Sequence, residues 1–175
     1  MQNYRYQTLN ALERVKAKYA EIEEEFYNLF GRRYGGMVET YKADDAEILF
    51  LTAGSVGGTI KSVIDNARKD GLKVGLARIR MFRPYPREAM GKILEGKKIV
   101  CSIERSICLG WNCGHLHMEA KAVLPDLKAP PKMINFIDGL ASLDITVDHL
   151  EKALAVTIAA AEGEDVPETN WLVWE

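Results

Sequence analysis

Short apolar runs that alternate with amphipathic stretches restrict the folds open to this chain more than any other feature. Ile48-Leu49-Phe50-Leu51 is apolar without a break, the pattern of a strand covered on both faces of a parallel sheet. Lys73 to Phe82, Ile99-Val100-Cys101-Ser102-Ile103 and Met133-Ile134-Asn135-Phe136-Ile137 read as further strands, and Met37 to Tyr41 as a weak one before a polar turn at 42–45. Helical spacing fills the gaps. Ile60, Val63, Ile64 and Ala67 line one side of a helix over about 57–70, with Gly71 as its stop. Pro86 to Glu95 reads as a short helix ended by Gly96, and Gly114 to Leu124 as another closed by Pro125. A last helix starts at Thr146, a suitable N-cap, and runs through Leu150, Leu154 and Ile158 to Ala161. Strands alternating with helices predict an α/β chain, a three-layer α/β/α sandwich around a mostly parallel sheet.

Both ends depart from this pattern. Thr8 to about Phe30 reads as one long helix stopped by Gly31, with Leu12, Val15, Tyr19, Ile22, Phe26 and Leu29 three and four apart as an apolar seam. Glu21, Glu23, Glu24 and Glu25 form a solvated acidic surface beside it. The seam packs either on its own domain or on a partner, because so long a helix would overhang a small domain. From Glu162 the chain is acidic, then aromatic at Trp171 and Trp174, as a packed-down terminus or a contact strip. The expected organisation is a helix and connector over 1–36, an α/β domain over 37–161 and a tail over 162–175.

The 175 residues suffice for one sizeable core. A net charge of −2 gives no reason to invoke nucleic acid, and no apolar run approaches the ~20 residues of a membrane span. The start, Met1-Gln2-Asn3-Tyr4-Arg5-Tyr6, lacks the apolar core of a secretory signal, so a cytoplasmic address is expected. Cys101, Cys108 and Cys113 make no paired framework, and without a Cys-x-x-Cys the chain has no visible means of holding an iron–sulfur cluster by itself.

Several stretches invite a chemical reading. In Arg78-Ile79-Arg80-Met81-Phe82-Arg83-Pro84-Tyr85-Pro86, alternation puts Arg78 and Arg80 on one strand face. Two arginines on a buried strand need anionic partners, from internal salt bridges, a neighbouring subunit or a bound substrate. Arg83, held by the proline turn, is better placed to reach a ligand. The turn Thr52-Ala53-Gly54-Ser55-Val56-Gly57-Gly58-Thr59 leaves backbone amides open to an anion, yet a tight strand-to-helix turn needs such glycines with no ligand present. It is neither a dinucleotide fingerprint nor a phosphate loop. Glu104-Arg105-Ser106 leaves another strand end. His115 with Glu119, and Cys113 with His117, lie one helical turn apart but on two faces, so with Cys108 they do not read as a zinc site. No motif places a base for a cysteine nucleophile, and His149 stands isolated.

Phe30-Gly31-Arg32-Arg33-Tyr34-Gly35-Gly36, Gly54-Ser55-x-x-Gly58-Thr59, the arginine–proline run and Phe136-Ile137-x-Gly139-Leu140 occur in an order that resembles one family. It is the second domain of the alpha subunit of pyruvate:ferredoxin and related 2-oxoacid:ferredoxin oxidoreductases. The resemblance implies a transketolase C-terminal-like fold with about five strands. It also implies an enzyme that decarboxylates a 2-oxoacid on thiamine diphosphate, passes electrons through iron–sulfur clusters to ferredoxin and releases acyl-CoA. The resemblance implies no catalytic residue and no cofactor in this chain. Thiamine diphosphate, magnesium and [4Fe-4S] clusters belong to the complete enzyme, whose other domains or subunits are the expected partners.

What the resemblance leaves for this chain is an architectural role. Gly54, Ser55, Gly58, Thr59 and Arg83 are then the candidate anion or coenzyme A contacts, and Arg78, Arg80 and Arg105 the candidate interface residues. The Gly-Asp-Gly motif for diphosphate and magnesium is absent, and Ala141-Ser142-Leu143 stands where the family has glycines and an arginine. The rival readings are a stand-alone nucleotide- or phosphometabolite-binding module and the C-terminal domain of another thiamine enzyme.

Overall fold

A computed structural model describes residues 1–172. Helix α1 (Gln2–Phe30) precedes β1 (Val38–Tyr41), β2 (Ile48–Ala53), α2 (Val56–Lys69), β3 (Val74–Ile79), α3 (Arg87–Leu94) and β4 (Ile99–Glu104). Then follow α4 (His115–Lys121), β5 (Lys132–Ile137), α5 (Val147–Glu162) and β6 (Thr169–Trp171). The sheet order is β1-β3-β2-β4-β5-β6. β2 to β6 run parallel and β1 joins the edge antiparallel to β3.

The unbroken apolar runs are explained by burial on both faces. Ile48 and Phe50 of β2, Leu76 of β3, Cys101 of β4 and Phe136 of β5 pack under α2 and α5. Leu49 and Leu51, Ala77, Val100 and Met133 face the opposite layer, where α3 and α4 supply Met90, Leu94, Leu116 and Ala120. Period-two alternation thus divides each strand between two cores. Thr146 caps α5 as expected, its Oγ1 accepting from His149 N–H at 3.2 Å.

The sandwich agrees with the sequence reading, and the differences are local. The sheet has six strands instead of five, because Thr169–Trp171 pairs with Asn135–Ile137 and draws the expected tail into the sheet. Trp174 lies outside the described residues. β3 stops at Ile79, so Arg80 and Phe82 lie beyond the strand expected to run to 82. Two bonds to Met37 O, from the amides of Arg80 and Met81, end the pairing there. α4 is shorter than expected, giving way before Pro125 to a 3-10 turn at Leu124–Asp126.

Helix α1 begins at Gln2 and buries no residue. Tyr19, Phe26, Leu12 and Val15 of its seam are half-buried, but Ile22 is 53% and Leu29 77% exposed. Its C-terminal half is tied to the 31–36 connector: Tyr19 donates to Gly36 O, Glu23 accepts from Gly36 N–H, and Glu24 pairs in two places with Arg33. Two of the four glutamates read as solvated surface therefore serve as connector contacts. No helix among the described residues is long and apolar enough to cross a membrane.

Candidate functional site

The four longer parallel strands end at one edge, where the loops after them hold Gly54, Ser55, Arg80, Arg83 and Arg105, while Gly58 and Thr59 lie in the first turn of α2 and Arg78 in β3. The connection leaving β2 goes to β3 on one side, whereas that leaving β4 goes to β5 on the other. β2 and β4 are neighbours, so their C-terminal ends flank a topological switch point, the usual ligand crevice of open α/β sheets. Thr52 Oγ1 donates to Ile103 O at 3.0 Å and ties these two strand ends together. Above it, Gly54 turns the chain with φ +72, and Ser55 starts α2 without its side chain capping the helix. Gly54, Ser55 and Gly58 are exposed and Thr59 half-buried, with nothing within 4 Å of the space a Gly58 side chain would take.

Each arginine of the arginine–proline run has a partner within the chain. Glu39 lies opposite Arg78 in register, and its carboxylate receives Arg78 at 3.3 Å, Arg80 at 3.8 Å and Lys61. Burial acts to raise the Glu39 carboxyl, but the bond from Lys61 and the charges of the two arginines outweigh it and hold it below its usual value. Arg78 also crosses Gly57, where a Cβ would stand 2.6 Å from its Cδ. Arg80 donates to Tyr34 O at 3.0 Å and lies over the Tyr34 ring, anchoring the connector that follows α1. Arg83 is held by both oxygens of Glu119 and stacks on Phe82. Arg105, after β4, braces the next loop by donating to Gly139 O at 3.2 Å and Leu143 O at 2.8 Å.

A buried polar network lies beneath the loop between β4 and α4. Glu104 accepts from the amides of Leu116 and His117, each at 2.8 Å, and from Asn135 Nδ2 at 3.1 Å. It is an internal cap for α4, and burial still raises its carboxyl above the ordinary range. His117 is fully buried, between Ser102 Oγ at 3.1 Å and Glu168 Oε1 at 3.1 Å. Burial lowers its affinity for a proton. Glu168 is held below its usual value first by the bond from Lys121 at 2.8 Å.

The five metal-type residues diverge: His117 points inward, Glu119 meets Arg83, and Cys108 Sγ lies 3.2 Å from His115 Nδ1. Among the described residues no group of three or more histidine, cysteine or acidic side chains is arranged to hold a metal ion. His115, seven residues from Cys108, thus lies against its sulfur, a contact that no sequence motif announced. His149 is not isolated, since its Nδ1 lies 2.8 Å from Asp138 Oδ2. Beyond Gly139 (φ +67), Ala141 and Ser142 also adopt positive φ, at 53 and 70. These are the positions where the resemblance leads one to expect glycine.

Comparison with known proteins decides what kind of domain this is. Residues 46–150 match the model of pyruvate:ferredoxin oxidoreductase core domain II. The chain belongs to that family. The pyruvate synthase subunit PorA of Pyrococcus furiosus is 38% identical over 98% of this chain and 43% of its own length. The alpha subunit of NADH-dependent phenylglyoxylate dehydrogenase from Aromatoleum evansii is 35% identical over 97% of this chain and 41% of its own. The chain therefore spans about two fifths of these curated relatives. A solved 2-oxoglutarate:ferredoxin oxidoreductase from Magnetococcus marinus, with 2-oxoglutarate, coenzyme A and succinyl-CoA bound, superposes with a TM-score of 0.52. At 16% identity, over 77% of this chain and 21% of that one, it speaks for the fold.

Within this core domain II, the sequence candidates fall into separate groups. Gly54, Ser55, Gly58 and Thr59 share one turn, with Arg78 packed behind it across Gly57. Arg83 is pinned against α4, and Arg80 and Arg105 brace two further segments. The Glu104–Asn135–His117 network was not foreseen. Its members come from β4, β5 and α4, so no local spacing could reveal it.

Proposed function

We propose that this chain is the non-catalytic second domain, or a split subunit, of a 2-oxoacid:ferredoxin oxidoreductase, and that its work is positional. The observation that carries this reading is the match to core domain II, together with arginines that are each committed to a partner within the chain. In the complete enzyme a 2-oxoacid such as pyruvate would be decarboxylated on thiamine diphosphate held with magnesium. Electrons would leave through [4Fe-4S] clusters to ferredoxin, and acyl-CoA would be released in the cytoplasm. The residues of this chain do not fit those groups. Gly-Asp-Gly is absent, and three cysteines, two of them buried, fall short of the four thiolates a cluster takes.

The division of labour we propose gives α1 and its connector (1–36) the task of docking on other domains or subunits, and 37–161 the task of the α/β platform. Thr169–Trp171 of the tail completes the platform's edge as β6. Arg78, Arg80 and Arg105 support docking indirectly, by fixing the backbone that is presented. We put the anion or coenzyme A contact at Gly54, Ser55, Gly58 and Thr59, because Gly54, Ser55 and Gly58 are exposed at the start of α2 and no side chain caps the helix there. Arg83 would join only by leaving Glu119.

Calorimetry on the purified chain tests the reading directly. Thiamine diphosphate with magnesium should give no binding heat, and the chain alone should reduce no ferredoxin. Co-expression with neighbouring reading frames that carry Gly-Asp-Gly and ferredoxin-type cysteines should give a complex with 2-oxoacid-dependent ferredoxin reduction. Tight thiamine diphosphate binding by the chain alone would overturn the proposal.

A further inference from the structure

We propose that the loop between β4 and α4 carries a redox-reactive thiol pair, in which Cys108 reacts first with a hydroperoxide and Cys113 then closes on it as a disulfide. Three arrangements point there. Cys108 is partly exposed, and its sulfur lies 3.2 Å from His115 Nδ1 and 3.5 Å from Nε2. With both nitrogens in reach, the thiol lies against the imidazole, and a small rotation of the exposed ring aligns either one as the proton acceptor. Secondly, Cys108 N–H donates to Cys113 O at 2.9 Å, closing the six-residue loop. That bond holds the two cysteine backbones together at the neck of the loop, the proximity a disulfide across it needs. Thirdly, the two thiols are unlike. Cys113 is 3% exposed, and burial first, then the neighbouring Cys108 sulfur, push its thiol above the ordinary value. One thiol is accessible with a base at hand, and the other is sheltered and adjacent.

The chemistry balances with hydrogen peroxide as the oxidant. His115 takes the Cys108 proton, and the thiolate attacks one peroxide oxygen. The O–O bond breaks to leave a sulfenic acid, and the departing hydroxide is protonated to water. Cys113 then attacks the Cys108 sulfur, the S–O bond breaks and a second water leaves with the Cys113 proton. Two thiols and one peroxide give one disulfide and two waters. The loop so closed displays Leu109 at 94% and Trp111 at 64% exposure, and Asn112 Oδ1 accepts from Trp171 Nε1 at 3.1 Å. Oxidation would therefore fix a segment that presents apolar surface beside the end of β6.

Peptide mass spectrometry on the full chain provides the test. Trypsin releases Ser106 to Lys121 with Cys108 and Cys113 together, and Cys101 in a separate peptide. In the native protein iodoacetamide should label Cys108 first, Cys113 more slowly and Cys101 only after denaturation, which also reports that the fold is intact. After dilute hydrogen peroxide the Ser106–Lys121 peptide should be lighter by two hydrogen atoms and recover on reduction. Cys113→Ser should instead leave a Cys108 sulfenic acid that dimedone captures. His115→Ala should slow Cys108 labelling about tenfold at neutral pH, with Cys101 still protected. Equal labelling of Cys108 and Cys113 would overturn the proposal. So would peroxide products limited to sulfinic acid or a disulfide between chains.

Discussion

The Glu104 carboxylate occupies the space a side chain at position 114 would need: a Cβ on Gly114 would overlap both of its oxygens. Gly114 has φ −94, a conformation open to any residue, so this glycine is required by contact and not by backbone freedom. Gly114→Ala should displace the cap from the Leu116 and His117 amides and cost about 3 kcal/mol. Urea denaturation followed by circular dichroism would check this; a loss below about 1 kcal/mol would mean that Glu104 does not cap α4.

Gly58 makes the contrasting case. It lies in the first turn of α2 with open space around it and no positive φ. Gly58→Ala should raise stability by about 0.5 kcal/mol, as expected for alanine replacing glycine in an exposed helix. If the turn meets coenzyme A in the assembled enzyme, the same variant should raise the KM for coenzyme A without lowering the stability of this chain.

His117 and Glu168 both contribute to the response to acid. Both have folded-state proton affinities below their unfolded ones, His117 mainly by burial and Glu168 mainly through Lys121. A depressed value contributes stability above the unfolded pKa that is lost as pH falls. Stability should therefore decline first below about 6.5, as the unfolded histidine takes a proton that buried His117 resists, and again below about 4.3. Glu104 works in the opposite sense, since its raised value favours the fold at low pH and loses that contribution as pH rises through the folded value. In His117→Gln the decline that begins near 6.5 should be reduced while the lower one remains, as read from denaturation midpoints across the pH range.

Strand and helix positions were legible because burial on two faces leaves unbroken apolar runs such as 48–51, and because Gly71 and Thr146 are chemical stop and start signals. β6 was not, since Thr169-Asn170-Trp171 is short, has no apolar run and becomes a strand only by pairing with β5. The arginine run announced its need for anions, but Glu39 and Glu119 lie 39 and 36 residues from Arg78 and Arg83. Ala141 and Ser142 departed from the family's glycines, and the structure gives that departure a physical form in their positive φ. The Cys108–His115 contact needed a loop whose path no periodicity specifies.

Glu39 offers the sharpest test of whether the arginines serve structure or ligand. Its side chain is 17% exposed and stands among three cations, so Glu39→Gln would leave Lys61, Arg78 and Arg80 facing one another without a counter-charge. The variant should lose about 2–3 kcal/mol, less than a fully buried pair because its partners are partly solvated. Phosphate or sulfate should then restore part of the loss by taking the carboxylate's place, raising the melting temperature of the variant more than that of the parent chain. If both respond equally, the cations already reach external anions with Glu39 in place, and Arg78 returns as a ligand-binding residue. A response confined to the variant would mean that the charge demand of the arginine run is met from within the chain.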